Sequence, residues 1–315
     1  MHFVLTGRSS DESFFHRQES HALLPHDRNS AVSPLNSEAV PLGHPYAFVS
    51  NIPTSCVLAH VPHGSTEMPL LSGRAKSMGT TVTDLAPDDE KREVELLCDT
   101  GCLDLLRELW VLDPGCSSAF AARFSRVWFD PERYPDEREE MNAVGMGVIY
   151  ERTSDGRPLR DSWTAEVREE VLTQYARYHA ALKAVSKEVS DLHGLCVIID
   201  IHSYSQVPLL HELHKHQPRP ELCIGTDVTA TPTWLSDLVS EAFQGVCETG
   251  LNTPYSGSFT PSSDADDATQ VASVMLEFRK DVFIDQRRRA AVSEALLSVI
   301  RAVNEKCLGD HGYGL

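Results

Sequence analysis

The feature that most constrains this chain is an unbroken apolar run, Leu195-Cys196-Val197-Ile198-Ile199-Asp200-Ile201-His202, which follows Gly194 and ends in a serine. It is too short and too β-branched for a helix, and continuous apolarity without alternation marks a strand covered on both faces. The neighbours supply the cover. Asp161 to His193 has helical periodicity and stops at Gly194. Downstream come a strand at Leu222 to Gly225, a helix from Thr233 to Thr249, a strand from Val271 to Phe278 and a helix from Ile284 to Val303. Upstream, Cys56 to Val61 is a short strand halted by Pro62. Asp88 to Trp110 is helical with a break near Gly101, Ala119 to Phe129 reads as one or two strands, and Pro131 to Gly156 as a long irregular excursion. Strands alternating with helices predict an α/β fold with a mixed, mainly parallel central sheet flanked by helices on both faces. Residues 1–45 lack periodicity and read as a flexible N-terminal extension, leaving 46–310 as a single catalytic domain.

Charge narrows the function. A formal net charge of -18 opposes a phosphate-tracking surface, so nucleic acid is excluded as a partner. No apolar run reaches the ~20 residues needed to span a bilayer, and the N-terminus is not signal-like, so no membrane partner is expected. Eight scattered cysteines, several in apolar runs, fit buried free thiols in a reduced, cytoplasmic setting; the oligomeric state is not readable.

In such sheets chemistry gathers where strands end. The residues standing there are His63 after the first strand, Asp99 in the first helical region, Asp200 and His202 ending the central strand, and Glu277 in the apolar run Val274 to Phe278. Two histidines with a carboxylate form a ligand set for one divalent cation that leaves a position for water, and a further carboxylate is then the base. A histidine after a strand is more often a satisfied polar residue, Asp200 reads equally as ligand or as partner of His202, and Glu277 reads equally as a base or as an ion-pair partner of Arg279 or Arg126. His211, His214 and His216 read as a solvated loop, as does the acidic cluster Asp264, Asp266 and Asp267.

The order of short stretches from Val57 to Asp285 resembles the N-formylglutamate amidohydrolase family. The stretches are Val61-Pro62-His63-Gly64-Ser65-Thr66, Leu97-Cys98-Asp99-Thr100, Ser125 to Arg133, Gly145 to Tyr150, Asp200-Ile201-His202-Ser203, Cys223 to Asp227, Asn252 to Gly257 and Met275-Leu276-Glu277. The resemblance implies a fold similar to zinc carboxypeptidases (phosphorylase/hydrolase-like), with one Zn2+ per chain held by His63, Asp99 and His202. It implies Glu277 as catalytic base, and Arg126, Arg133, Asn252 and Tyr255 as substrate-binding residues. The implied reaction is zinc-dependent cleavage of the formyl amide of N-formyl-L-glutamate to formate and glutamate. A related hydrolase acting on another N-acyl amino acid or a small peptide, and a non-catalytic binding protein on the same scaffold, stand as alternatives. Leu103, Thr66 and Lys280 depart from the family's pattern, which leaves Glu95 and Glu67 as reserves for the third ligand.

Overall fold

The computed structural model describes residues 47–50, 54–69, 81–261 and 269–311; the expected extension over 1–45 and the cluster of Asp264, Asp266 and Asp267 lie outside them. Seven strands form one sheet: β1 (Ala47–Ser50), β2 (Val57–Val61), β3 (Ser118–Ala122), β4 (Cys196–Tyr204), β5 (Leu222–Gly225), β6 (Thr249–Leu251) and β7 (Val271–Arg279). Their spatial order is β1-β3-β2-β4-β7-β5-β6. The pairs β2/β3, β2/β4, β4/β7 and β5/β6 are parallel, while β1/β3 and β5/β7 are antiparallel. The α/β architecture with a mostly parallel sheet is thus present, with β1 and β6 added at the edges.

Alternation along the central strands sorts their side chains between two layers. Val57, Ala59 and Val61 of β2, Val197, Ile199 and Ile201 of β4, and Val274, Leu276 and Phe278 of β7 enter one core. That core is closed by α2 (Cys102–Leu112), α4 (Thr233–Ala242) and α5 (Gln286–His311). Leu58, Phe120, Cys196 and Ile198 take the opposite side, under Val167, Val171, Tyr178, Leu182 and Val185 of α3 (Ala165–His193). His60, Asp200, His202 and Glu277 share the parity of Leu58, Ile198 and Met275, so the polar groups stand on the α3 side.

The helix expected from Asp88 to Trp110 is two helices, α1 (Pro87–Leu97) and α2, separated at Cys98 to Gly101. Gly101 has φ 94°, a left-handed conformation natural to glycine, and its Cα faces the Phe283 ring closely enough to leave no room for a Cβ. Gly194 ends α3 in the same way, at φ 74°. The strand expected over Ala119 to Phe129 stops at Ala122. Beyond it the chain runs irregularly to Thr164, relieved by a 3-10 turn at Glu140–Val144 and stitched by Arg160. Arg160 is fully buried, and its guanidinium donates to the carbonyls of Val82, Val127 and Tyr150 while stacking 4.5 Å over Trp163. Burial, with the neighbouring charge of Arg168 adding to it, lowers its pKa to about 9.

Cys56 and Cys307 are joined as a disulfide, a departure from the reduced setting expected of the cysteines. The other six are free and buried. Among the described residues, no helix is long and apolar enough to cross a membrane.

Candidate active site

Five segments converge at the C-terminal ends of β2, β4 and β7. His60 lies within β2 and His63 in the turn after it. Asp99 lies in the break between α1 and α2, and its backbone N–H donates to the His63 carbonyl at 2.9 Å, which fixes the two together. The break is also tied to β4, because Ser203 Oγ donates to the Thr100 carbonyl at 2.9 Å. The segment from Arg126 to Arg133 is held against the His63 turn by Ser65 Oγ donating to the Arg123 carbonyl and by Ser125 N donating to the Glu67 carbonyl.

The side chains form a continuous buried network. His63 Nε2–H donates to Asp130 Oδ1 at 2.8 Å, and His63 Nδ1 lies 3.3 Å from His202 Nδ1. His202 Nδ1–H donates to Asp99 Oδ2 at 3.1 Å, and its Nε2 stands 3.1 Å from Glu132 Oε2 and 3.2 Å from Asp200 Oδ1. His60 Nδ1–H donates to Asp200 Oδ1 at 2.9 Å, so its Nε2 accepts from the Tyr178 hydroxyl at 2.8 Å. Asp130 Oδ2 receives Arg126 Nη2 at 2.6 Å and the Tyr150 hydroxyl.

Burial alone would discharge these groups, and their partners reverse it. Burial works against a charged His202, but Glu132 and Asp200 outweigh it and hold the imidazolium well above its ordinary range. For His63 burial and Arg126 pull downward, and Asp130 and Asp99 raise it. Asp99 is held low by His202 and His63 despite its burial, Asp130 by Arg126 and His63, and Asp200 by His202 and His60.

Glu277 is the exception. It sits in register beside His202 on β7, is partly exposed, and its Oε2 is buried without a hydrogen-bond partner. Burial pushes its carboxyl up to about 7, with Asp99 adding to the rise and His202 opposing it. A carboxyl with that pKa alternates between acid and base at neutral pH.

The predicted substrate-binding residues divide. Arg126 lies within the cluster, with Nη1 3.7 Å from Asp99 Oδ1. Arg133 is at its edge, 3.6 Å from Asp130 Oδ2, with its Nε buried and making no hydrogen bond. Tyr255 accepts from Arg219 Nη2 at 3.3 Å and donates to Glu212 Oε2 at 2.9 Å, on the Glu277 side of the site. Asn252 is a turn residue at φ 52°, whose side chain accepts from Thr226 N and donates to Thr226 Oγ1, each at 2.8 Å. Glu67 is exposed, and Glu95 is exposed and lies 3.8 Å from Lys91, so neither reserve reaches the site. Asp130, Glu132 and His60 are members that sequence reasoning missed. Asp130 follows the apolar Val127-Trp128-Phe129 and Glu132 follows Pro131, in a stretch with no period to say which side chains turn inward. His60 was concealed inside a strand.

Two sets of three donors come within 4.8 Å of one another as a cation would need: His63, Glu132 and His202, and His60, Glu132 and Asp200. His63 Nδ1, His202 Nδ1 and Asp99 Oδ2 also stand together, 3.1 to 3.6 Å apart in pairs.

An α/β sheet presenting acid–base side chains at the C-terminal ends of its parallel strands defines a hydrolase-type scaffold. The family match covers residues 55–284, and the chain belongs to the N-formylglutamate amidohydrolase family. Two solved structures share the fold. One is N-formylglutamate amidohydrolase from Ralstonia eutropha JMP134, at TM-score 0.60 and 19% identity, covering 81% of this chain and 95% of that one. The other is a gene product of Agrobacterium tumefaciens, at TM-score 0.58 and 19% identity, covering 84% and 95%. No curated protein sequence matches.

These findings correct part of what the resemblance implied. The fold is that of the N-formylglutamate amidohydrolase family, and the comparison with zinc carboxypeptidases is withdrawn. The zinc ion with ligands His63, Asp99 and His202, and the zinc-dependent mechanism built on it, are withdrawn with that comparison. Asp99 instead serves as acceptor for the His202 imidazole.

Proposed function

We propose that the chain hydrolyses the amide bond of an N-acyl amino acid, with N-formyl-L-glutamate, the substrate in the family's name, as the first candidate. The observation that carries this reading is Glu277. A lone carboxyl of pKa about 7, with an unpartnered oxygen beside a charged imidazole, is suited to take a proton from water and return it.

In this reading the Glu277 carboxylate removes a proton from water as the water oxygen attacks the acyl carbonyl. The His202 imidazolium, held charged by Glu132 and Asp200, meets the developing oxyanion. Glu277 then delivers the proton to the departing nitrogen, and formate and glutamate are released from N-formylglutamate. Arg126 and Arg133 hold a carboxylate of the amino-acid half by planar, charge-assisted hydrogen bonds. Tyr255 lines the Glu277 side, and Asn252 shapes the turn that carries it.

The test is formate release from N-formyl-L-glutamate by the wild type and by Glu277→Gln. Release by the wild type and its loss in the variant support the reading. Turnover confined to another N-acyl amino acid or small peptide moves the substrate, and no turnover of any acyl amino acid favours a binding protein.

A further inference from the structure

The chain puts a histidine in β2 where packing alone asks for hydrocarbon. His60 is fully buried, and the rings of Phe120, Tyr178 and Phe259 stand 6.1, 6.2 and 5.7 Å from its own. An imidazole is tolerated in such surroundings when both ring nitrogens find partners. Here both do: the Tyr178 hydroxyl meets Nε2 at 2.8 Å, and Nδ1 meets Asp200 Oδ1 at 2.9 Å.

The sheet enforces the second contact, since His60 and Asp200 are register partners on β2 and β4. Among the described residues, Asp200 makes no other aligned side-chain hydrogen bond, and its Oδ2 is buried without a partner. Its Oδ1 also stands 3.2 Å from His202 Nε2. Glu132 repeats the arrangement, with Oε1 3.6 Å from His60 Nδ1 and Oε2 3.1 Å from His202 Nε2. One oxygen of each carboxylate lies within 4.8 Å of the other, a distance at which like charges repel, and the N–H of His60 faces both. It is the tether that keeps the Asp200 carboxylate turned toward the His202 imidazole.

Which nitrogen of His60 carries the hydrogen is decided from the other end. Burial and the charges of Glu132 and Asp200 push the pKa of the Tyr178 hydroxyl well above its ordinary value, so the hydroxyl keeps its proton and donates to Nε2. The hydrogen of His60 then sits on Nδ1, against Asp200.

We propose that His60 is a positioning residue, locked by Tyr178 in the tautomer that aims the Asp200 carboxylate at His202. It is sealed from solvent and acts through those two side chains. Its effect on turnover rests on the hydrolase reading above; the aiming of Asp200 does not.

Two amides separate this role from packing. In His60→Asn the amide nitrogen falls near the place of Nδ1 and still donates to Asp200. In His60→Gln the amide falls near Nε2, within reach of Tyr178, and Asp200 loses its donor. His60→Gln is expected to lower kcat for formate release about ten- to a hundredfold at nearly unchanged KM, and His60→Asn to recover most of that loss. Equal losses in the two variants, or a smaller loss in His60→Gln, overturn the assignment. Nitrogen NMR of the imidazoles reads the same arrangement without turnover. The wild type is expected to hold the His60 hydrogen on Nδ1, and Tyr178→Phe, which removes a single oxygen, to move part of it to Nε2. The His202 ring signals, assigned through His202→Gln, should shift in His60→Gln and stay in place in His60→Asn. A wild-type hydrogen on Nε2, a measurement that needs no variant to fold, overturns the proposal, as do His202 signals indifferent to His60→Gln. Formate release by the wild type judges the hydrolase reading, so either can fail alone.

Discussion

Glu277 and His202 occupy matching register positions on the adjacent parallel strands β7 and β4. Neighbouring strands run roughly 4.8 Å apart, so the ladder itself sets the spacing of base and imidazolium.

Glu277→Gln is expected to lower kcat by roughly a hundred- to ten-thousandfold, the usual contribution of a positioned base, with little change in KM. Steady-state formate release measures it. A variant within a few-fold of the wild type would remove Glu277 from the chemistry.

The same carboxyl predicts two pH effects of defined sign. As a base it must be ionised, so kcat/KM of the wild type rises with pH through about 7. For stability, a carboxyl whose folded pKa is raised above its unfolded one favours the folded state fully below the unfolded value, and that contribution is lost as pH rises through about 7. Glutamine stays neutral, so Glu277→Gln should melt above the wild type at about pH 8 and converge with it toward about pH 4. Scanning calorimetry across that range would show parallel curves if the carboxyl were not raised.

Arg160→Met should reduce stability by about 3 kcal/mol or more, because three buried carbonyls, those of Val82, Val127 and Tyr150, lose their donor together. Arg160→Lys should recover only a minor part, since an ammonium lacks the planar fork that reaches all three. Urea unfolding midpoints give the comparison.

Gly101→Ala combines a left-handed backbone with overlap against Phe283 and should cost about 2 to 4 kcal/mol. Since Gly101 ends the segment that carries Asp99, kcat should fall as well. A fully active, equally stable variant would contradict the packing described.

Among the free thiols, Cys102 feels both Asp99 and His202; burial pushes its pKa well above the ordinary value, and Cys98 and Cys223 rise to about 11. A nucleophilic thiol needs the opposite shift. Iodoacetamide should therefore leave turnover intact in the native protein, and Cys102→Ala should stay within a few-fold of wild type. Rapid inactivation by the reagent would transfer the attack from water to sulfur.

The sheet was legible because strands and helices carry periods. The β4 run, the Gly101 break and the Gly194 stop each follow from local side-chain chemistry, and Glu277 drew attention as a carboxylate in an apolar run. Asp130 and Glu132 were not legible, because the stretch from Arg123 to Thr164 is buried without regular structure and no period announces which side chains turn inward. His60 sat within β2, where a polar residue reads as an interruption of the core until Asp200 and Tyr178 are seen beside it. Asp99 was expected in a helical region and stands in the gap between two helices.

The alternation along β2, β4 and β7 separates two design problems on the same strands. Residues of one parity answer only to α2, α4 and α5, while those of the other divide between the layer under α3 and the acid–base cluster. Mutational drift in the apolar layer can retune thermal tolerance while leaving the reactive groups where they are. Inserting one residue into β4 would instead invert both assignments at once, driving Asp200 and His202 into hydrocarbon and raising isoleucines in their place.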